Sequence, residues 1–278
     1  MGEPFIGSEA LAAGHLTRHD LRTRFVAVHQ DVYVARGTQP TAVLRAKACW
    51  LRARRHGVLA GFSASAMHGS RWVGAELPAY IIDTNRRPAR GIVTWSDALD
   101  DDEICLIAGM RVTTGVRTAV DLACKFPESV AVPAIDAMAR ATKTKVIDIE
   151  LAAERHAGRR GIKRARTTLA LVDPGAESPR ETWLRLLVVH AGYPPPETQH
   201  PIYNEFGVLI GEVDMAWPDV KIALEYEGRD HLDPDQLRKD ILRVEEMTRA
   251  GWIVIRVTCR DGKGGILKRL ATAWASRT

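Results

Sequence analysis

Cysteine is scarce: the 278-residue chain has four, Cys49, Cys105, Cys124 and Cys259. None forms a C-x-x-C pair or sits beside a histidine at finger spacing, which excludes a zinc finger and a disulfide framework. Buried, reduced thiols of a cytoplasmic protein are therefore expected. Long apolar runs are also missing; none approaches the ~18 residues of a membrane span, so no membrane partner is expected. The stretch from Met1 to Ala10 lacks the basic and apolar regions of a secretory signal and the Ser/Thr that myristoylation at Gly2 requires. Internal repeats and low-complexity tracts are absent. Aromatic residues make up only 6%, but hydrophobic residues total 46% and charged residues 26%, a globular balance that argues against disorder. At roughly 100–200 residues per domain, the length implies two domains.

The net charge of +5 hides an asymmetry. Residues 1–75 hold 10 basic and 4 acidic side chains, residues 76–172 hold 15 and 13, and residues 173–278 hold 14 and 17. A second basic cluster, Arg155, Arg159, Arg160, Lys163, Arg164 and Arg166, falls within twelve residues with no acid among them. It suits a phosphate backbone and equally a solvated helix and linker. The acidic run from Asp97 to Glu103 reads as an exposed loop.

Ser8 to Ala13 reads as a short helix capped by Ser8. Thr17 and Asp20 have capping-box spacing and open a second helix. Val26, Val28, Val32 and Val34 flank a turn at Gln30-Asp31, so Phe25 to Ala35 reads as a hairpin. Helix, helix, hairpin outlines a winged-helix-like module over residues 1–75. Ala42 to His56 carries Leu44, Ala48 and Leu51 on one helical stripe. Residues 76–172 read as a mixed α/β then helical connecting region, with strands at Ala79–Asp83, Gly91–Trp95 and Met110–Thr113. Pro174-Gly175 is the best boundary. Beyond it, Ser178-Pro179-Arg180-Glu181 starts a helix with Ser as N-cap and Pro in the first turn. Strands follow near Gln199–Tyr203, Val208–Trp217 and Val220–Gly228, then a helix from Asp233, a strand at Trp252–Thr258 and a last helix. The expected class is α/β, with an αβββαβ core over residues 173–278.

That core gathers acids. If Trp217 pairs with Val220 across a two-residue turn, Asp214 faces Ala223 and Glu212 faces Glu225. Side chains alternate along a strand, so Glu212, Asp214, Glu225 and Glu227 share one face, with direct partners ~5 Å apart. Such acids call for compensation, and a hard divalent cation, Mg²⁺ or Mn²⁺, supplies it. A solvent-washed face whose acids avoid each other is the alternative. Glu181 ends the helix face that packs on the sheet and is open to two roles, capping Ser178 or reaching the cluster. His231 lies just past the third strand, suited to proton transfer. Asp240 and Arg243 read as a surface pair.

These residues carry a resemblance. Val213-Asp214-Met215-Ala216-Trp217-Pro218, Ala223-Leu224-Glu225-Tyr226-Glu227-Gly228-Arg229-Asp230-His231, Asp240, Arg243 and Gly251-Trp252-Ile253-Val254-Ile255-Arg256-Val257 resemble the very-short-patch-repair-like branch of the PD-(D/E)xK nuclease superfamily. The resemblance covers residues 176 to about 260. It implies a restriction-endonuclease-like core, with Asp214 and Glu225 as metal ligands and Glu181 as the helix acid. The third motif position, usually Lys, is Glu227 here, and His231 is a candidate substitute. The N-terminal region is similar to AbiEi-type antitoxin and regulator proteins, which carry a winged helix. Val28 to Val34, Ser63 to Gly69 and Val112 to Leu122 carry that likeness. His68, Arg117 and Asp121 read as structural.

Two functions follow. The first is a metal-dependent DNA endonuclease: Asp214, Glu225 and Glu181 hold Mg²⁺ or Mn²⁺, Glu227 or His231 takes a proton, and basic residues attract DNA. The nucleic-acid contacts expected are Arg18, Arg22 and Arg24 near the N-terminus and Arg159, Arg160, Lys163 and Arg164 in the second cluster. The alternative is a non-catalytic DNA-binding regulator or antitoxin that keeps an inactive nuclease fold. Both readings allow a homodimer and a toxin or other protein partner; RNA is not separated from DNA.

Overall fold

Two separate solutions to burying charge organise this chain, one in each of its two compact units, Met1–Pro174 and Gly175–Thr278. The computed structural model describes residues 2–85, 87–228 and 234–277. Its content is mixed α/β with several sheets. No helix among the described residues is long and apolar enough to cross a membrane.

The first unit opens with β1 (Phe5–Ile6), α1 (Gly7–Ala12), α2 (Arg18–Arg24), β2 (Phe25–His29) and β3 (Val32–Ala35). The strands form an antiparallel sheet in the order β1-β3-β2. At α2, the Thr17 hydroxyl accepts from the Asp20 N–H and the Asp20 carboxylate accepts from the Thr17 N–H, a complete capping box. Ser8 does not cap α1. Its N–H and hydroxyl instead donate to the Asp31 carboxylate at 2.8 and 2.6 Å, because the hairpin turn brings Asp31 back over the start of the helix.

Next come α3 (Ala42–Arg52), β4 (Val58–Leu59), α4 (Gly61–Met67), β5 (Ala79–Ile82), β6 (Ile92–Trp95), β7 (Ile104–Ile107) and β8 (Met110–Thr113). The helix expected to reach His56 stops at Arg52, and Arg54 and Arg55 turn left-handed at φ 51° and 67°. Strands β4 to β8 form a five-stranded mixed sheet in the order β6-β5-β4-β8-β7. Helix α3 touches both β1–β3 and β5, so residues 1–75 and 76–172 share one unit. Helices α5 (Gly115–Lys125), α6 (Glu128–Thr142), α7 (Val146–Arg155) and α8 (Ile162–Leu169) close around Leu122, Ile135, Met138, Ile149 and Leu169, all essentially buried.

The acidic run is exposed at Asp100, Asp101 and Asp102 but not at its two ends, Asp97 and Glu103. Asp101–Glu103 form a 3-10 turn and Glu103 is buried. The buried Arg117 on α5 lies between two acids: its Nε donates to Asp121 Oδ1 at 2.9 Å and its Nη1 to Glu103. His156 Nε2 lies 2.7 Å from the other oxygen of Glu103. Arg159 binds Asp97 at 2.7 Å and also Asp121. Arg155 binds Asp102 at 2.8 Å. The basic stretch after α7 therefore clamps the acidic run. Cysteines 49 and 124 are buried and Cys105 is half-buried, but Cys259 is exposed, against the expectation of four buried thiols.

The second unit follows the order α9 (Pro179–His190), β9 (Glu197–Tyr203), β10 (Leu209–Trp217), β11 (Ile222–Glu227), α10 (Pro234–Arg249), β12 (Ile253–Thr258) and α11 (Lys263–Ala275). Its sheet reads β12-β11-β10-β9, antiparallel except for the β11–β12 pair. A parallel pair needs a crossover, and α10 supplies it. One sheet face buries Met215, Leu224 and Ile255 against Leu184 and Val188 of α9 and Ile266 and Leu270 of α11. The other packs Ala216 and Ala223 with Met247 of α10 and Trp252.

Removing the central cation of the first unit should be costly. Arg117→Met leaves buried Glu103 with His156 and buried Asp121 with Arg159 but removes the cation they share, and urea unfolding at pH 7 is expected to register a loss of about 3–5 kcal/mol. Burial alone would raise the Asp97 and Glu103 carboxyls. Hydrogen bonds and charge from Lys125 and Arg159 at Asp97, and from the Asp100 N–H, Arg117 and His156 at Glu103, instead hold both below their ordinary 3.8 and 4.5. Groups depressed in the fold stabilise it fully above those values and lose the effect as pH falls through the folded ones. Asp97→Asn should therefore lower the urea midpoint at pH 7 and do so progressively less towards pH 3; an equal drop at both pH values would refute the assignment.

Candidate functional site

The acidic face of the second unit is built by β10 and β11. The expected pairing of Trp217 with Val220 does not occur. Pro218–Val220 form a 3-10 turn, Lys221 is left-handed at φ 49°, and Trp217 pairs with Ile222. The register therefore slips by two residues. A shift of two preserves side-chain parity, so Asp214 and Glu225 keep a common side while the partners change; Glu212 is exposed, and its carbonyl, not its carboxylate, accepts from Arg243. The ladder's last pair is Met215 with Leu224, which leaves Asp214 and Glu225 as the next positions outward.

Asp214 is held from across the strands: the Tyr226 N–H donates to its Oδ2 at 2.6 Å. Its carboxyl is pushed up to about 7, first by burial and then by the charges of Glu181, Glu225 and Glu227, which outweigh the Tyr226 hydrogen bond. Those electrostatic contributions mark the four acids as neighbours. Glu225 is buried, and burial raises its carboxyl too, against the charge and hydrogen bond of Arg243. Arg243 Nη1 lies 2.8 Å from Glu225 Oε1. The other oxygen, Oε2, is buried with no hydrogen-bond partner among the described residues. A buried carboxylate oxygen left bare costs the full desolvation of that atom.

Arg256 on β12 binds Glu227 Oε1 through both Nε and Nη2. Glu181 shows half of the capping box and lies near the acids, where its charge acts on Asp214. Its N–H is capped by Ser178 Oγ, while its carboxylate accepts from the Glu177 N–H at 2.7 Å and from Gln199 Nε2 at 3.4 Å. Among the described residues no three His, Cys, Asp or Glu side chains form a metal-sized group. Glu181 adds its charge from nearby, with Oε2 held by the Glu177 N–H. The donors present fit a smaller centre of Asp214 and Glu225, since Mg²⁺ is commonly held by one or two carboxylates and keeps several waters; the bare Glu225 Oε2 is the observation that supports the fit. His231 lies outside the described residues.

Arg243, expected in a surface pair with Asp240, and Arg256 are the site residues the sequence reading gave no role. Their only signal was a basic residue one element away from each acid. The basic candidates divide. Arg18, Arg22 and Arg24 are exposed on α2, with Arg24 3.7 Å from Asp20. Arg160 and Lys163 are exposed. Arg159 is occupied by Asp97 and Asp121, and Arg164, exposed on α8, donates one N–H to the Cys124 carbonyl at 2.7 Å.

The raised carboxyl of Asp214 has a thermodynamic sign. Because its folded value of about 7 exceeds its ordinary 3.8, the native state binds the proton more tightly and loses stability as pH climbs across that window. In EDTA, Asp214→Asn should raise the melting temperature relative to the parent at pH 8 more than at pH 5. A gain that is the same at both pH values would mean the carboxyl is not perturbed.

The chain is similar, at 34% identity over 156 residues, to two uncharacterized proteins from two strains of Mycobacterium tuberculosis. That stretch covers 56% of this chain, which spans 57% of the length of each relative. No family model matches the chain, and no solved structure matches it.

Proposed function

We propose that this protein is a metal-dependent DNA endonuclease of the PD-(D/E)xK type that acts in the cytoplasm. Its second unit would form the restriction-endonuclease-like core, and the β1–β3 region a winged-helix-like module. The observation that carries the reading is the buried Oε2 of Glu225, which has no hydrogen-bond partner among the described residues, beside Asp214, whose carboxyl is pushed to about 7. Perturbed carboxylates converging on a buried point are characteristic of functional sites. The αβββαβ order and the parallel β11–β12 pair are consistent with it.

Asp214 and Glu225 would hold Mg²⁺ or Mn²⁺, with Glu181 and Glu227 adding negative charge around them. Bound there, the metal would lower the pKa of a water and stabilise charge on the phosphate. Tyr226 fixes Asp214 through its N–H, so one carboxylate oxygen stays directed. The exposed arginines of α2, with Arg160 and Lys163, supply positive surface for a polyanion.

A second reading, a DNA-binding regulator or antitoxin with an inactive nuclease fold, draws on one specific contact: Glu227, at the position where the motif usually has Lys, is paired with Arg256.

Supercoiled plasmid incubated with the protein and EDTA, Mg²⁺ or Mn²⁺ separates the two. The endonuclease is expected to nick only with metal, and Asp214→Ala and Glu225→Ala to lose at least roughly a hundredfold in rate, as removal of a main transition-state contact does. No cleavage in any metal, with salt-sensitive DNA binding that survives both substitutions, would leave the regulator.

A further inference from the structure

A cation already stands in the carboxylate site. Arg243 leaves α10 and reaches the sheet, where Nη1 lies 2.8 Å from Glu225 Oε1 and donates to the Glu212 carbonyl at 3.1 Å. The strand is bare where it passes: position 211 is glycine, and a Cβ there would meet Arg243 Cδ at 3.0 Å. The other guanidinium of the site, Arg256, is committed to Glu227. Glu225 therefore offers one oxygen to Arg243 and keeps Oε2 bare.

We infer that Arg243 is a positioning residue of the proposed centre, one that holds Glu225 by Oε1 so that Oε2 faces the cation site, and that weakens divalent-cation binding while keeping the loaded site from carrying net negative charge. The inference rests on the proposed nuclease reading. A guanidinium stays charged at any working pH, so its contribution is permanent. Glu227 and Arg256 cancel one another. Asp214, Glu225 and the nearby Glu181 are three carboxylates, one more negative charge than a divalent cation offsets, and that excess repels a phosphodiester. Arg243 adds one positive charge, which cancels the excess. The same charge repels the cation and thus sets its affinity.

The test uses the full chain and two independent readouts: Mn²⁺ binding by calorimetry without DNA, and Mn²⁺-dependent plasmid cleavage. Arg243→Gln keeps an N–H for Glu225 but removes the charge. It should bind Mn²⁺ roughly tenfold more tightly and cleave at least about tenfold more slowly. Arg243→Lys keeps the charge and should stay within about threefold of the parent in Mn²⁺ affinity, cleaving faster than the Gln variant. Arg249→Gln, on the same helix in an exposed pair with Glu245 at 3.6 Å, should alter neither readout.

An Arg243→Gln protein that matches the parent in either readout overturns the inference and leaves the nuclease intact. A parent chain that binds no Mn²⁺ and cuts no DNA overturns the nuclease reading, and this inference with it. Should the Gln variant not fold, the Lys variant decides: folded and cleaving, it supports the charge role; folded and without cleavage, it refutes it.

Discussion

A carboxylate taken out of water must be neutralised, hydrogen-bonded or protonated, and both units of this chain are arranged around that constraint. In the first, cations match acids. Arg117 sits between Glu103 and Asp121, Arg159 between Asp121 and Asp97, and His156 and Lys125 complete the set. The result is carboxyls held below their ordinary values at Asp97 and Glu103. In the second, acids exceed the guanidiniums that reach them, and Asp214 and Glu225 shift upward. The direction of the shift separates the two uses of buried charge. Depressed carboxyls hold a fold together, whereas raised ones are left wanting a positive partner.

The helix starts and the face of the acidic hairpin were legible from residue types alone. Thr17 with Asp20, and Ser178 before Pro179, are local signals whose energetics lie within one turn of chain. The acidic face survived a wrong register in part because the error was even: Trp217 meets Ile222 instead of Val220, and Met215 to Trp217 keep their sides, whereas Glu212 lies outside the β10–β11 ladder and is exposed. A slip of one would have turned Asp214 into the core. Ser8 shows the opposite case, a good cap by type that is drawn away by Asp31, 23 residues on.

Charge clusters were the least legible feature. Arg155 to Arg166 looks like a phosphate-binding strip because no acid lies within it, yet its partners Asp97 and Asp102 sit 62 and 53 residues earlier. Counting charge in a window reports composition, whereas the free charge of a surface depends on pairing across the fold. The same limit hid Arg243, whose sequence neighbour Asp240 suggested a surface pair and whose described contact is Glu225, across the sheet.

Glycine at 211 links these scales. A side chain there would press on Arg243 Cδ and on Met247, so the absence of a Cβ in β10 is what lets α10 lie close enough for its guanidinium to reach Glu225. Met247, on the same helix, is fully buried against Ala216 and Ala223. One helix thus contributes both the apolar contact that seats it and the charge that enters the acidic site. Any change that lifts α10 from the sheet should loosen the packing and uncouple Arg243 from Glu225 together. The stability of this layer and the electrostatics of the acidic site are therefore properties of one contact surface, and neither can be altered without touching the other.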